Sequence, residues 1–122
     1  MSIWCHWTDD ESYTGILENG FEIRSRTGSR FGPGVYFSDG DEDTYYGDIK
    51  VTAIVHGLDI LTMTIGEWNV VEDRLIAVFG DAYKDKIYDY VCGKGFKALC
   101  INYDGRGMEL VVMDLEAIRE YW

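Results

Sequence analysis

Residues 30–40 read RFGPGVYFSDG. The chain's single proline, Pro33, stands between Gly32 and Gly34, directly before Val-Tyr-Phe. Proline fixes its own φ and restricts the residue ahead of it, while glycines keep the backbone slim. Such a loop can pass close to a bound molecule and deliver Tyr36 at a set angle. Val35–Ser38 then reads as a short strand, and the acidic run DGDEDTYYGD (39–48) as a loop or a single helical turn.

Working outward, Ser2–Trp7 is apolar and aromatic, as a short strand is. TDDESYTGILENG (8–20) reads as a helix: Thr8, Asp9 or Asp10 can cap it, and acids suit the positive end of its dipole. Tyr13, Ile16 and Leu17 share one face of that helix, and Gly20 supplies its stop. Phe21–Arg26 alternates apolar and polar residues, which predicts a half-buried strand. Ile49–His56 alternates more strongly, with Ile49, Val51, Ala53 and Val55 on one side. Leu58–Ile65 reads as extended or irregular. Two helices follow, one with the stripe Trp68, Val71, Leu75, Val78 and Phe79, the other with Tyr83, Ile87, Tyr90 and Val91. Phe96–Asn102 and Met108–Asp114 read as strands around the turn YDGRG, and the tail LEAIREYW as a turn or helix whose last aromatics dock on the body. Strands and helices mix without regular βαβ alternation, so the expected class is α+β.

Composition bounds the partners. The 122 residues are 47% hydrophobic and 15% aromatic, enough for a packed core in a domain of ordinary size. A formal charge of −11 repels phosphate backbones, which argues against nucleic acid but not against a nucleotide in a pocket. The nearest approach to a basic cluster is Arg24, Arg26 and Arg30. Cys5, Cys92 and Cys100 are odd in number and lack CxxC spacing, so free thiols in a reducing compartment are expected. Neither a signal-peptide pattern nor a long apolar run occurs, so no membrane is expected as partner, and the expected location is the cytoplasm of a cell or an infected host. Asp39, Asp41 and Asp43 begin like a calcium loop, but Thr44 stands where glycine is needed and Lys50 where glutamate is needed.

Three pieces then fall in order: CHWT (5–8) on the first strand, FGPGVYFSD (31–39) after the first helix, and GMELVVMD (107–114) on the last strand. Singly, each has a plain explanation. A histidine at a strand end is ordinarily a hydrogen-bonded or surface residue, a tyrosine in an apolar strand ordinarily belongs to the core, and a glutamate before Leu-Val-Val ordinarily faces water. In this order and spacing they resemble the ADP-ribosyltransferase superfamily, in its poly(ADP-ribose) polymerase-like branch with a His-Tyr-Glu triad. The resemblance spans essentially the whole chain, 1–122, as one minimal catalytic domain with a split β-sheet core and a few flanking helices.

The resemblance implies NAD as co-substrate and His6, Tyr36 and Glu109 as the catalytic triad. It implies that Tyr36 stacks on the nicotinamide, that His6 holds a ribose hydroxyl, and that the backbone of Trp7 binds the carboxamide. Glu109 then bonds the nicotinamide-ribose 2′-OH and helps polarise the acceptor. Thr8 and Gly34 adjoin the ligand. A second tyrosine, Tyr46 or alternatively Tyr45, closes the other side of the nicotinamide, and Thr44 adds a hydroxyl. His56 belongs to no motif and reads as structural or exposed. Trp7 stands where the family has glycine, so its indole must point away from the pocket or form its wall.

The expected activity is transfer of a single ADP-ribose from NAD to an acceptor, a protein side chain. The short chain leaves out the accessory helical domain and has little room for a polymer-acceptor loop. Two alternatives remain: NAD glycohydrolysis with water as acceptor, and a non-catalytic acidic interaction or mimic protein that keeps the fold.

Overall fold

The structure is a computed structural model that describes residues 2–23, 30–39 and 49–122. It is a mixed α+β arrangement. In chain order the elements are strand β1 (Ser2–Thr8), helix α1 (Asp10–Asn19), strands β2 (Val35–Ser38), β3 (Ile49–Val55) and β4 (Ile60–Thr64), helices α2 (Ile65–Phe79) and α3 (Ile87–Gly93), and strands β5 (Ala98–Asn102), β6 (Met108–Val112) and β7 (Ile118–Tyr121). Short 3₁₀ turns occupy Gly57–Asp59, Gly80–Lys86 and Leu115–Ala117. The strands form one sheet in the order β4-β5-β6-β2-β1-β3-β7. The β4–β5 pair is parallel and the other neighbours are antiparallel. Parallel neighbours need a long crossover, and α2 and α3 supply it.

Alternation along β3 sorts the two faces of the sheet. Val51, Ala53 and Val55 are fully buried while Lys50 is exposed. The first face gathers Trp4, Phe21, Val35, Phe37, Leu110 and Val112, with Tyr13 and Ile16 of α1 packed on them. The second gathers Leu99, Ile101, Val111 and Met113 under Trp68 of α2 and Ile87 and Val91 of α3. Each fully buried side chain of this size is worth about 1.5–3 kcal/mol relative to exposure. Asp9, one of the expected caps, closes the start of α1, and α2 carries a side-chain cap of its own. The Asp9 carboxylate accepts from Ser12 N at 2.8 Å, and Thr64 and Glu67 form a reciprocal capping box.

Three local expectations change. Phe21–Ile23 forms no strand; Phe21 instead inserts its ring between His6, Phe37 and Tyr121. Residues 24–26 of that expected strand lie outside the described residues. The tail, expected as a turn or helix, begins with the turn at Leu115–Ala117 but continues as a strand over 118–121, because β7 pairs with β3 and Trp122 exchanges two main-chain hydrogen bonds with Thr52, each 2.8 Å. The apolar stripe of α2 ends at Leu75, and Val78 is 73% exposed.

Candidate functional site

The centre of the sheet is where β1, β2 and β6 adjoin. β1 pairs with β3 from Ser2 to Thr8, and β2 pairs with β6 from Val35 to Ser38. Between those two blocks the register holds at Cys5↔Ser38, and the strands separate beside it. His6 bridges the gap. Its Nδ1 lies 2.7 Å from the main-chain oxygen of Tyr36. A carbonyl only accepts, so Nδ1 carries the hydrogen and donates it, which makes Nε2 the acceptor in the neutral ring. The imidazole is seated among first-face aromatics, edge-on to Phe21 at 5.4 Å and tilted to Phe37 at 5.6 Å.

Tyr36 turns its phenol to the second face. The ring is stacked beside Phe31 at 6.5 Å. Its hydroxyl donates to Gly32 O at 2.7 Å and accepts from Phe31 N at 3.0 Å. The tyrosine thus closes its own loop. Gly32 sits at φ +81, where side chains are strained, and a Cβ there would also lie 2.6 Å from Lys84 O. Gly34 has no such φ, but a Cβ on it would meet Val111 Cγ1 at 2.6 Å and Val112 O at 2.9 Å. The slimness expected to serve a ligand is therefore required by the close approach of the loop to β6.

Glu109 stands opposite Ser38 in register. Successive side chains of a strand alternate between faces, so Tyr36, Ser38 and Glu109 share the second face. The Cys5↔Ser38 pair places Trp7 on that face as well. His6, one residue away, is on the first face. The structure thus brings the three triad candidates onto adjoining strands, but it divides them: Tyr36 and Glu109 lie together, and the His6 ring lies behind them, joined through Tyr36 O. Of the two placements expected for the Trp7 indole, away from the pocket or as its wall, this register fits the second. Trp7 is half-buried and, among the described residues, its Nε1 is buried without a hydrogen-bond partner. Thr8 is buried on the His6 side. Thr44, Tyr45 and Tyr46 lie outside the described residues, as do Asp41 and Asp43. His56 has a structural task, accepting from Leu58 N at 3.2 Å to cap the turn at Gly57–Asp59.

Tyr103, on the second face, is not among the site residues the sequence singles out. The Tyr103 hydroxyl donates to Glu109 Oε1 at 3.0 Å. Burial pushes the Tyr103 phenol up to about 12, and the Glu109 carboxylate reinforces this by its charge and by the hydrogen bond; Arg30 pulls the other way. Arg30 also lies over the Phe31 ring at 5.3 Å. At the mouth of the β5–β6 hairpin, Asp39 Oδ1 accepts from Met108 N at 3.0 Å and ties the end of β2 to the start of β6. Chemically, the second face offers a carboxylate held by a phenol, an aromatic platform two residues along the adjoining strand, and a nearby guanidinium. Comparison with protein-family models, curated proteins and solved structures finds no match.

Proposed function

We propose that the chain is an NAD-dependent mono-ADP-ribosyltransferase, working at the second face of β2 and β6. The observation that carries this reading is the pairing of Tyr36 with Val111 and of Ser38 with Glu109, which sets the platform tyrosine and the carboxylate on one face of neighbouring strands. Cleavage of the C–N bond between nicotinamide and ribose leaves the electron pair on nicotinamide and positive charge on the ribose. A fixed carboxylate favours that charge more in the transition state than in the ground state. Glu109 fills this role and also accepts from the ribose 2′-OH. The acceptor nucleophile forms the new bond to the anomeric carbon and releases its proton to water. Tyr36 supplies the aromatic surface that aligns nicotinamide for departure. His6 acts from behind by fixing the main chain at Tyr36. The acceptor is a protein side chain.

A carboxylate and an aromatic ring on one face support the NAD reading, and Trp7 shares that face. That placement of Trp7 favours a second reading, a protein that keeps this fold without turnover. Incubating the protein with ADP-ribose-labelled NAD and a cell lysate separates the possibilities. Label on a macromolecule supports transfer, free ADP-ribose points to glycohydrolysis with water as acceptor, and intact NAD favours the non-catalytic reading.

A further inference from the structure

We propose that Tyr103 is a positioning residue that fixes the orientation of the Glu109 carboxylate and holds it ionised, which rests, for its bearing on NAD chemistry, on the proposed role of Glu109. The contact arises from the hairpin joining β5 to β6. Ile101 pairs with Glu109 and Asn102 with Met108. Tyr103 N donates to Gly107 O at 3.0 Å, and Asp104 N donates to Asn102 Oδ1 at 3.0 Å. Asp104, Gly105 and Gly107 all take positive φ, so the reversal is tight. Alternation then sets Tyr103 on the face of Ile101 and Glu109, one diagonal step from the carboxylate, within reach of a long side chain.

A phenol hydroxyl taken out of water is costly unless it bonds, and Glu109 Oε1 is its acceptor. The same bond favours the ionised carboxylate over the neutral acid. It also fixes the side-chain angle, because a ring packed against the second-face core has few rotamers to explore. Among the described residues, the polar groups placed near Glu109 include Tyr103, which donates to it, Ser38, its register partner in β2, Asp39, which follows β2, and Arg30, which acts on Tyr103. Of these, Asp39 is engaged with Met108 N, and Arg30 acts on Tyr103 by charge and hydrogen bond. His6 approaches from the opposite face and acts on the main chain of Tyr36.

The test follows the Glu109 carboxyl carbon by NMR through an acid titration, in wild type and in Tyr103→Phe. Loss of the donor is expected to move Glu109 ionisation upward by about one pH unit. If NAD is turned over, the acid limb of its rate profile moves with it, and kcat falls ~10-fold with KM for NAD unchanged, as for a lost transition-state interaction. An unmoved Glu109 titration overturns the inference, whether or not NAD is cleaved. A moved titration in a protein that leaves NAD intact upholds the positioning of Glu109 and rejects the transferase reading alone. Should Tyr103→Phe not fold, Glu109→Gln reads the same pair from the other side. Tyr103 should then ionise below its wild-type value of about 12 in an alkaline absorbance titration, and an unchanged value overturns the inference.

Discussion

The imidazole Nδ1 of His6 donates to the carbonyl oxygen of Tyr36 across 2.7 Å, at the place where β1 and β2 separate. Two blocks of the sheet are thus joined by a side chain where a ladder hydrogen bond would otherwise serve. His6→Phe keeps the ring among Phe21 and Phe37 but removes the donor. Stability should fall by about 1 kcal/mol, the usual net worth of such a bond. Urea unfolding checks this, and an unchanged midpoint would show that the bridge contributes nothing.

Gly34→Ala should destabilise the fold by roughly 1–3 kcal/mol, the cost of forcing atoms into a packed interior. The added methyl would lie 2.6 Å from Val111 Cγ1 and 2.9 Å from Val112 O. Thermal unfolding measures the loss. A variant as stable as wild type would contradict the close packing of the loop on β6.

Tyr36→Phe separates the ring from its hydroxyl. The ring can still stack, but Gly32 O loses its donor and Phe31 N its acceptor. Stability should drop by about 1–3 kcal/mol, the penalty of leaving such groups unpaired. A nicotinamide-like competitor should still bind this variant, whereas Tyr36→Ala should bind it poorly, having lost an aromatic contact of about 0.5–1.5 kcal/mol. Titration followed by tryptophan fluorescence compares them; equal affinity for wild type and Tyr36→Ala removes Tyr36 from the site.

Alkaline stability tests Tyr103. Its phenol ionises near 10 when unperturbed and at about 12 in the folded chain, raised first by burial and then by Glu109. A raised folded value means the native state holds its proton more tightly. The contribution is therefore intact below pH 10 and is lost as the pH rises toward 12. Unfolding midpoints measured across that window should fall less steeply for Tyr103→Phe than for wild type, and parallel slopes would contradict the assignment.

The parts legible in the sequence are those set by local chemistry. The alternation in β3, the Asp9 cap and the helical stripe around Trp68 each follow from neighbours a few residues apart. The tail was ambiguous for a physical reason: Ile118 and Tyr121 are three apart, which suits a helix face, and pairing with a strand more than sixty residues earlier decides otherwise. The site shows the same division. The order His6, Tyr36, Glu109 stands in the sequence, yet which face each takes depends on the Cys5↔Ser38 and Ser38↔Glu109 registers. His6 and Trp7 are adjacent in a strand and so point to opposite faces; which of them accompanies Tyr36 is a matter of register between distant segments. Tyr103 had a signal in the turn YDGRG, since a hairpin that short sets its first residue diagonal to Glu109.

In the proposed reaction the Glu109 carboxylate stabilises positive charge on the ribose of NAD. Labelled NAD, a lysate as source of acceptor, and the pair wild type and Glu109→Gln test it most directly. The substitution keeps the side chain's size and removes its charge. Wild type should place label on protein, and the variant should do so ~10²-fold more slowly or worse, the scale of losing a main electrostatic stabiliser, with NAD affinity little changed. Equal transfer by the two proteins, or intact NAD with wild type, would contradict the account.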